Sequence, residues 1–274
     1  MLTQPKIALT GLIIAFISVC AAIYSIYQTI QLSSAVKTVS QAYQFEEFLI
    51  HNAKDLNNHI DARIDAFIDR RKQEKINTKF EAYENAVKNT KSGKHIYGLE
   101  KARFTLVEYS DLECPYCRKF HSIPKKVVDA SNGIVNWEWK HFPLPSHNPV
   151  AAIEAQASEC VASISGNRAF WVYLHQIFEL TKGNGQGAGD LVQIAANIGV
   201  DDKVFSNCLN EATFREKVIA DMMQAKSLGI NSTPVTFIVD NQTGNSTLMR
   251  GLQNPEAIVS TIQKMKKESE STLN

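Results

Sequence analysis

No glycine occurs between Gly11 and Gly93, and no proline between Pro5 and Pro115. These two residues disfavour helix interiors more than any others. A run this long without either favours helix over most of the first third of the chain. The run opens with an uncharged stretch, Ile7 to Val36, densest in apolar residues from Ile7 to about Ile26. At about 1.5 Å rise per residue, about 20 residues cross a bilayer core of about 30 Å. Residues 1–32 are therefore expected to form a membrane anchor. A signal peptide cut within Ser18–Ala22 is the alternative, although its apolar core would be shorter. Lys6 before the span and Lys37 after it give too small a charge bias to orient it.

Helix is expected onward from about Ser34 to Thr90. Apolar residues recur three or four apart, first as Leu56, Ile60, Ile64 and Phe67, then as Ile76, Phe80, Tyr83 and Val87. The charged block Asp69–Lys75 separates the two stripes, so no coiled-coil register holds for three clean heptads. Residues 33–92 read as a helical stalk. Three roles stay open for it: a homo-oligomer contact, a monomeric spacer, or a helix lying against the following domain. Ser92-Gly93 reads as a hinge into a domain covering 93–274.

Within that domain, Arg103–Tyr109 is rich in β-formers and reads as a buried strand. A short loop, Ser110–Glu113, leads to Cys114-Pro115-Tyr116-Cys117 and a helix-like stretch through Val128. Val135–Phe142 alternates as a second strand, and Pro143 and Pro145 end it. A mostly helical block follows, about 146–229, with Pro149 suited to a first helical turn. Val235–Asp240 and Ser246–Arg250 are strands around a turn. Asn254-Pro255 caps a last helix running to about Lys267. The order βαβ, helical insertion, ββα belongs to the α/β class and describes a thioredoxin fold carrying an inserted helical domain.

The cysteines carry the chemistry. Cys20 lies in the anchor; Cys114, Cys117, Cys160 and Cys208 make an even set, which in an oxidising compartment suits two pairs. A sulfur at the start of a helix faces unpaired backbone N–H groups and the positive end of the helix dipole, so Cys114 should ionise easily. Cys117, one turn later, should be the buried resolving thiol. Structural zinc wants four ligands. Cys160 and Cys208 are single and far apart. His121 could share a helix face with Cys117, but no fourth ligand is evident, so no metal is expected. A net charge of +1, with no basic cluster among aromatics, argues against nucleic acid.

The segments FTLVEYSDLECPYC (104–117), HFPL (141–144), SEC (158–160), AFWVYLHQIF (169–178), FSNCL (205–209) and LGINSTPVTFIV (228–239) together resemble the DsbA-like branch of the thioredoxin superfamily. The resemblance covers about residues 103–267. It implies that Pro234 is cis and packs beside a Cys114–Cys117 redox centre. It further implies that the Thr233 backbone pairs with substrate chain, next to Pro115 and Tyr116. Glu108 falls where such proteins often hold a buried acid that exchanges a proton with the second cysteine; strand alternation alone does not separate this from a surface position. Cys160 and Cys208 fall where such proteins often carry a second, structural disulfide.

Three weaker signals are read plainly. Gly183–Gly189 follows a helix rather than a strand, so it is a flexible linker and not a phosphate loop. His175 reads as core packing and His147 as a loop residue. Asn231 and Asn245 match glycosylation sequons by coincidence.

The expected function is a membrane-anchored thiol–disulfide oxidoreductase that introduces disulfides into extracytoplasmic proteins. It needs no cofactor beyond its own disulfide. Its expected partners are unfolded cysteine-containing proteins and a quinone-linked membrane redox partner. Its expected place is the bacterial inner membrane, with the catalytic domain in the periplasm. The alternatives are an isomerase or reductase that oligomerises through 34–90, and a non-enzymatic metal-handling or peptide-binding adaptor.

Overall fold

The structure, a computed structural model, describes residues 6–87 and 93–272. It divides into two units, Met1–Arg71 and Lys72–Asn274. The first unit is one helix, the bulk of α1 (Lys6–Glu81). From Ile14 onward its large apolar side chains, such as Ile14, Phe16, Ile17, Ile23 and Ile26, are exposed. By length and composition this helix can cross a membrane; a signal sequence passes the same test. The helix does not break near residue 33.

The second unit holds a five-stranded sheet in the order β1-β3-β2-β4-β5. Its strands are β1 (His95–Tyr97), β2 (Phe104–Ser110), β3 (Val135–His141), β4 (Val235–Asp240) and β5 (Ser246–Arg250). β2 runs parallel to β3 and antiparallel to β4; β1 and β5 close the two edges antiparallel. Central β2 alternates cleanly. Phe104 and Leu106 face the main core with Trp137, Trp139, Trp171 and Phe170. Val107 and Tyr109 face a second cluster with Phe142, Ala225 and Val235.

Between β2 and β3 the helix-like stretch is two helices, α2 (Pro115–Phe120) and α3 (Ser122–Ala130), divided at His121. The insertion comprises α4 (Val150–Leu180), α5 (Leu191–Ala196), α6 (Asp202–Asn210) and α7 (Arg215–Ser227). α4 is kinked at Gly166, where φ is +85°. Pro149 caps α4 rather than entering it, behind a cis peptide bond. Asp190 and Asp201 cap α5 and α6 through their side chains. Cys160 on α4 and Cys208 on α6 are bonded, with their Cα atoms 5.9 Å apart. α8 (Pro255–Thr272) starts behind Asn254, whose Oδ1 accepts from Ala257 N–H at 2.7 Å.

Within the expected domain, β1 adds an edge strand ahead of the expected first strand, Arg103–Tyr109. One expectation needs correction: the stalk does not run to residue 92. α1 ends at Glu81, and a turn delivers Tyr83 and Ala86 into the main core, where Tyr83 is 3% exposed. Ala86 bridges to Tyr97, Asn85 Nδ2 donates to Asp129 at 2.9 Å, and Lys79 donates to Gln176 at 2.8 Å. The second apolar stripe thus belongs to the domain. Of the expected hinge, Ser92 lies outside the described residues.

Removing a buried aromatic ring costs about 3–5 kcal/mol. Tyr83→Ala should lower the unfolding free energy by that amount, seen as a reduced urea midpoint. A loss below about 1 kcal/mol would separate this turn from the core.

Candidate active site

The loop from β2 to α2 is shaped by Asp111. Its Oδ1 accepts from Glu113 N–H at 2.8 Å and its carbonyl from Cys114 N–H at 3.1 Å. Its Oδ2 accepts from Leu144 N–H at 2.7 Å and lies 2.7 Å from His147 Nδ1. His147, read as a loop residue, is therefore buried against the active loop.

Cys114 caps α2 with extended backbone (φ −82°, ψ 121°), and Pro115 opens the helix. As a thiol, Cys114 Sγ donates to the Thr233 carbonyl at 3.6 Å. The Thr233–Pro234 bond is cis, and both residues are buried. Cys117 is fully buried one turn into α2. Tyr116 is 61% exposed beside the pair, with Lys119 Nζ 6.0 Å from its ring centroid. The structure thus gathers Cys114, Pro115, Tyr116, Cys117, Thr233 and Pro234 at one place.

The two sulfurs are driven in opposite directions. The hydrogen bond from Cys117 is the chief cause that brings the Cys114 pKa down to about 6; burial opposes it. The Thr233 side chain and the backbone N–H groups of Cys117 and Tyr116 assist. Cys117 is pushed up, by burial first, then by its hydrogen bond to Cys114 and by the Cys114 charge.

Glu108 lies on the same face of β2 as Phe104 and Leu106 and is fully buried. Neither carboxyl oxygen has a fixed hydrogen-bond partner. Burial raises its pKa to about 8. Ser110 and Trp137 partly counter this, and Cys114 adds to it. The Ser110 hydroxyl also lowers the Cys117 pKa, so it serves both groups. His121, the zinc candidate, instead lies 3.2 Å from the Tyr83 hydroxyl and packs against Phe178, Trp137 and the ring of His175. Among the described residues, no group of three or more His, Cys, Asp or Glu is arranged to hold a metal ion.

Sequence reasoning missed a second set of residues. Gly183–Gly189 is not a free linker but is fastened beside Cys114. Asn184 N–H donates to the Glu113 carbonyl at 2.7 Å, and Gly187 N–H to Glu113 Oε2 at 3.0 Å. Ala188 N–H donates to Glu154 Oε1 at 2.9 Å. Thr181 donates its hydroxyl to Glu113 Oε1 and accepts from Gly183 N–H at 2.8 Å. Glu154 is pushed up to about 8, chiefly by burial and then by Glu113 and Asp111; the Ala188 N–H holds it back. The one signal for this was glycine at every second position, since Gly183, Gly185, Gly187 and Gly189 all take positive φ.

A strand-to-helix Cys-x-x-Cys beside a cis-proline loop, on a sheet of this order, defines a thioredoxin-fold redox protein. The comparisons agree. The thioredoxin family model matches residues 89–264. The chain belongs to that family, as a DsbA-like member of the superfamily. Its fold is similar to Pseudomonas aeruginosa DsbA2, at 34% identity over 63% of this chain and 94% of that one, with a TM-score of 0.57. It is also similar to oxidised BdbD from Bacillus subtilis (23% identity, 66% and 97% covered, TM-score 0.54). Wolbachia pipientis alpha-DsbA1 gives 22% identity, 68% and 97% covered, and a TM-score of 0.54. Among curated proteins, the chain matches the Na(+)/H(+) antiporter NhaA 1 of Mycolicibacterium gilvum, 30% identical over 146 residues, 53% of this chain and 23% of that protein. It matches the Na(+)/H(+) antiporter NhaA of Herminiimonas arsenicoxydans at 31% over 144 residues, 53% and 22%. The chain spans about a quarter of the length of the curated relatives it matches.

A thiol whose folded pKa lies below its ordinary value stabilises the reduced chain above that ordinary value; the effect is lost as pH falls through about 6. In the reduced chain, thiolate absorbance should accordingly rise with a midpoint near pH 6. Cys117→Ala should move the midpoint upward, since it deletes the largest cause. A midpoint at the free-thiol value, about 8.5, in the natural chain would remove the activation of Cys114.

Proposed function

We propose that the chain is a membrane-anchored thiol–disulfide oxidoreductase that introduces disulfides into extracytoplasmic proteins. One observation carries this: an easily ionised sulfur, Cys114, lies at a helix start beside the Thr233 carbonyl, with a reluctant sulfur, Cys117, buried one turn on.

In the oxidised chain a substrate thiolate attacks Cys114 Sγ. The Cys114–Cys117 bond breaks, and Cys117 leaves with the electron pair and takes a proton. Glu108, protonated at pH 7, supplies that proton with Ser110 alongside. The mixed disulfide then has two fates. Substrate's second thiolate attacks the substrate sulfur and expels Cys114, or Cys117 attacks Cys114 and returns the substrate reduced. A low-pKa thiol leaves readily, and a high-pKa thiol is rarely a thiolate at neutral pH. Both facts favour the first fate, which oxidises substrate. The Thr233 backbone, next to cis Pro234, is suited to hold extended substrate chain.

The exposed apolar helix of residues 14–30 supports an anchor. The second cysteine pair, Cys160–Cys208, supports an oxidising compartment, hence the periplasmic side of a bacterial inner membrane. A quinone-linked membrane protein would reoxidise the pair. The exposed stripe Leu56, Ile60, Ile64 and Phe67 favours a second form, an isomerase that oligomerises through the stalk.

The reduction potential decides the direction. A value near about −120 mV fits the oxidase, and one near about −270 mV would overturn it for a reductase. A monomer by sedimentation of the full chain would eliminate the oligomeric form.

Positioned acids contribute about 10²–10⁴-fold to proton transfer. Glu108→Gln should therefore slow disulfide transfer at pH 7 by at least about tenfold. It should also remove the loss of rate expected of the natural chain above about pH 8, where the acid gives up its proton. Superimposable pH–rate profiles for the two chains would rule Glu108 out.

A further inference from the structure

Beside Cys114 lies a groove of about 390 Å³ that does not include Thr233. That is within the range of small-ligand pockets, about 300–1,000 Å³. Cys114, Pro115, Thr181 and Gly183 line it, and its exposed cations are Arg118, Lys119 and Lys182. Its one carboxylate, Glu113, is fully buried, with both oxygens engaged by Thr181 and Gly187.

This wall is built, not incidental. Glu113 and Glu154 hold the glycine loop through three backbone N–H groups and the Thr181 hydroxyl. The Arg118 guanidinium ties α2 to the end of α4, donating to the carbonyls of Thr181 at 2.9 Å and Glu179 at 3.1 Å. A Cβ at Gly185 would press to 3.3 Å on the backbone of His147, and one at Gly187 to 3.3 Å on Val150. A side chain at either position would also strain the backbone, since both take positive φ.

We propose that this groove is a second substrate subsite. It receives an apolar side chain flanking the reacting cysteine, with an acidic residue beside that side chain meeting Lys119 and Lys182. The occupant follows from continuity and charge. Cys114 itself lines the groove, the surface the groove exposes is mainly apolar, and its accessible charges are all positive. The inference rests on the oxidoreductase reading and adds a sequence preference to it.

The test uses the oxidised full chain and reduced two-cysteine peptides. Two electrons pass from the peptide dithiol to the Cys114–Cys117 disulfide. The peptide leaves with a new S–S bond and the chain with two thiols. One cysteine of each peptide is flanked by Ala, by Leu with Asp, or by Leu with Lys. Burying the larger side chain should raise the second-order rate constant about tenfold for Leu-Asp over Ala. Asp should exceed Lys by about threefold at low salt, and Lys182→Glu should invert that ratio. The ratio within one variant cancels any change in the intrinsic reactivity of Cys114. Equal rate constants for the Leu and Ala peptides would overturn the subsite and leave the enzyme reading standing. An Asp-to-Lys ratio untouched by Lys182→Glu would overturn the charged rim. Failure of every peptide to exchange would instead overturn the enzyme reading, and the subsite with it.

Discussion

Two sulfurs one helical turn apart are driven in opposite directions by one shared hydrogen bond and, for Cys117, by burial above all. Cys117 donates to Cys114 and so stabilises the Cys114 thiolate; the same bond, together with complete burial, keeps the proton on Cys117. The arrangement depends on β2 ending where it does. Its last residues bring Glu108 and Ser110 beneath the pair, and its loop, cinched by Asp111, presents Cys114 as the cap of α2. Because β2 is the central strand, Glu108 is fixed by partners on both sides, Trp139 and Thr236. A buried acid without fixed hydrogen bonds would cost several kcal/mol if ionised. Its proton is therefore retained near pH 7.

Much of this was legible in the chain because it is local. β2 and β4 are runs of β-formers, the Cys-x-x-Cys follows a strand directly, and Asn254-Pro255 announces α8. What escaped reading depends on contacts between distant residues. β1 is three residues with no period to detect, and its strand character comes from pairing with Trp137, Glu138 and Trp139 of β3. The glycine loop looked like a linker because the groups that fasten it, Glu113 and Glu154, lie 74 and 34 positions from their partners. Tyr83 looked like stalk because its stripe continues a helical period. Only the tertiary fold shows that this stripe faces His121 and Tyr97.

Those distant contacts converge on α2. One end of that short helix carries Cys114. The other ends at His121, whose ring is held by Tyr83 from the turn after α1 and by Phe178 and His175 from α4. Arg118, between them, grips the end of α4. A six-residue helix has little intrinsic stability. Its position, and with it the direction of the N–H groups aimed at Cys114, is set by what clamps it from outside. The segment just after α1 and the inserted helical domain are thus both part of what makes the sulfur reactive.

The size of the thiolate effect bears on direction. At pH 7, a thiol titrating near pH 6 rather than at its ordinary value stabilises the reduced chain by about 1.4 kcal/mol. That corresponds to about 30 mV. The span between a thioredoxin-like reductant and a DsbA-like oxidant is about 150 mV. The thiolate alone therefore covers only about a fifth of it, and equilibrium poise is not where this site differs most from a plain dithiol. Kinetics separates the two more sharply. Cys114 leaves a mixed disulfide as a stabilised anion, whereas Cys117 must first lose a proton that burial holds in place. The ratio of those two steps grows with the gap between the sulfurs, not with the shift of either one. The hydrogen bond that widens that gap thus favours departure of Cys114 over attack by Cys117 in the mixed disulfide, a partition separate from the potential that sets the net direction.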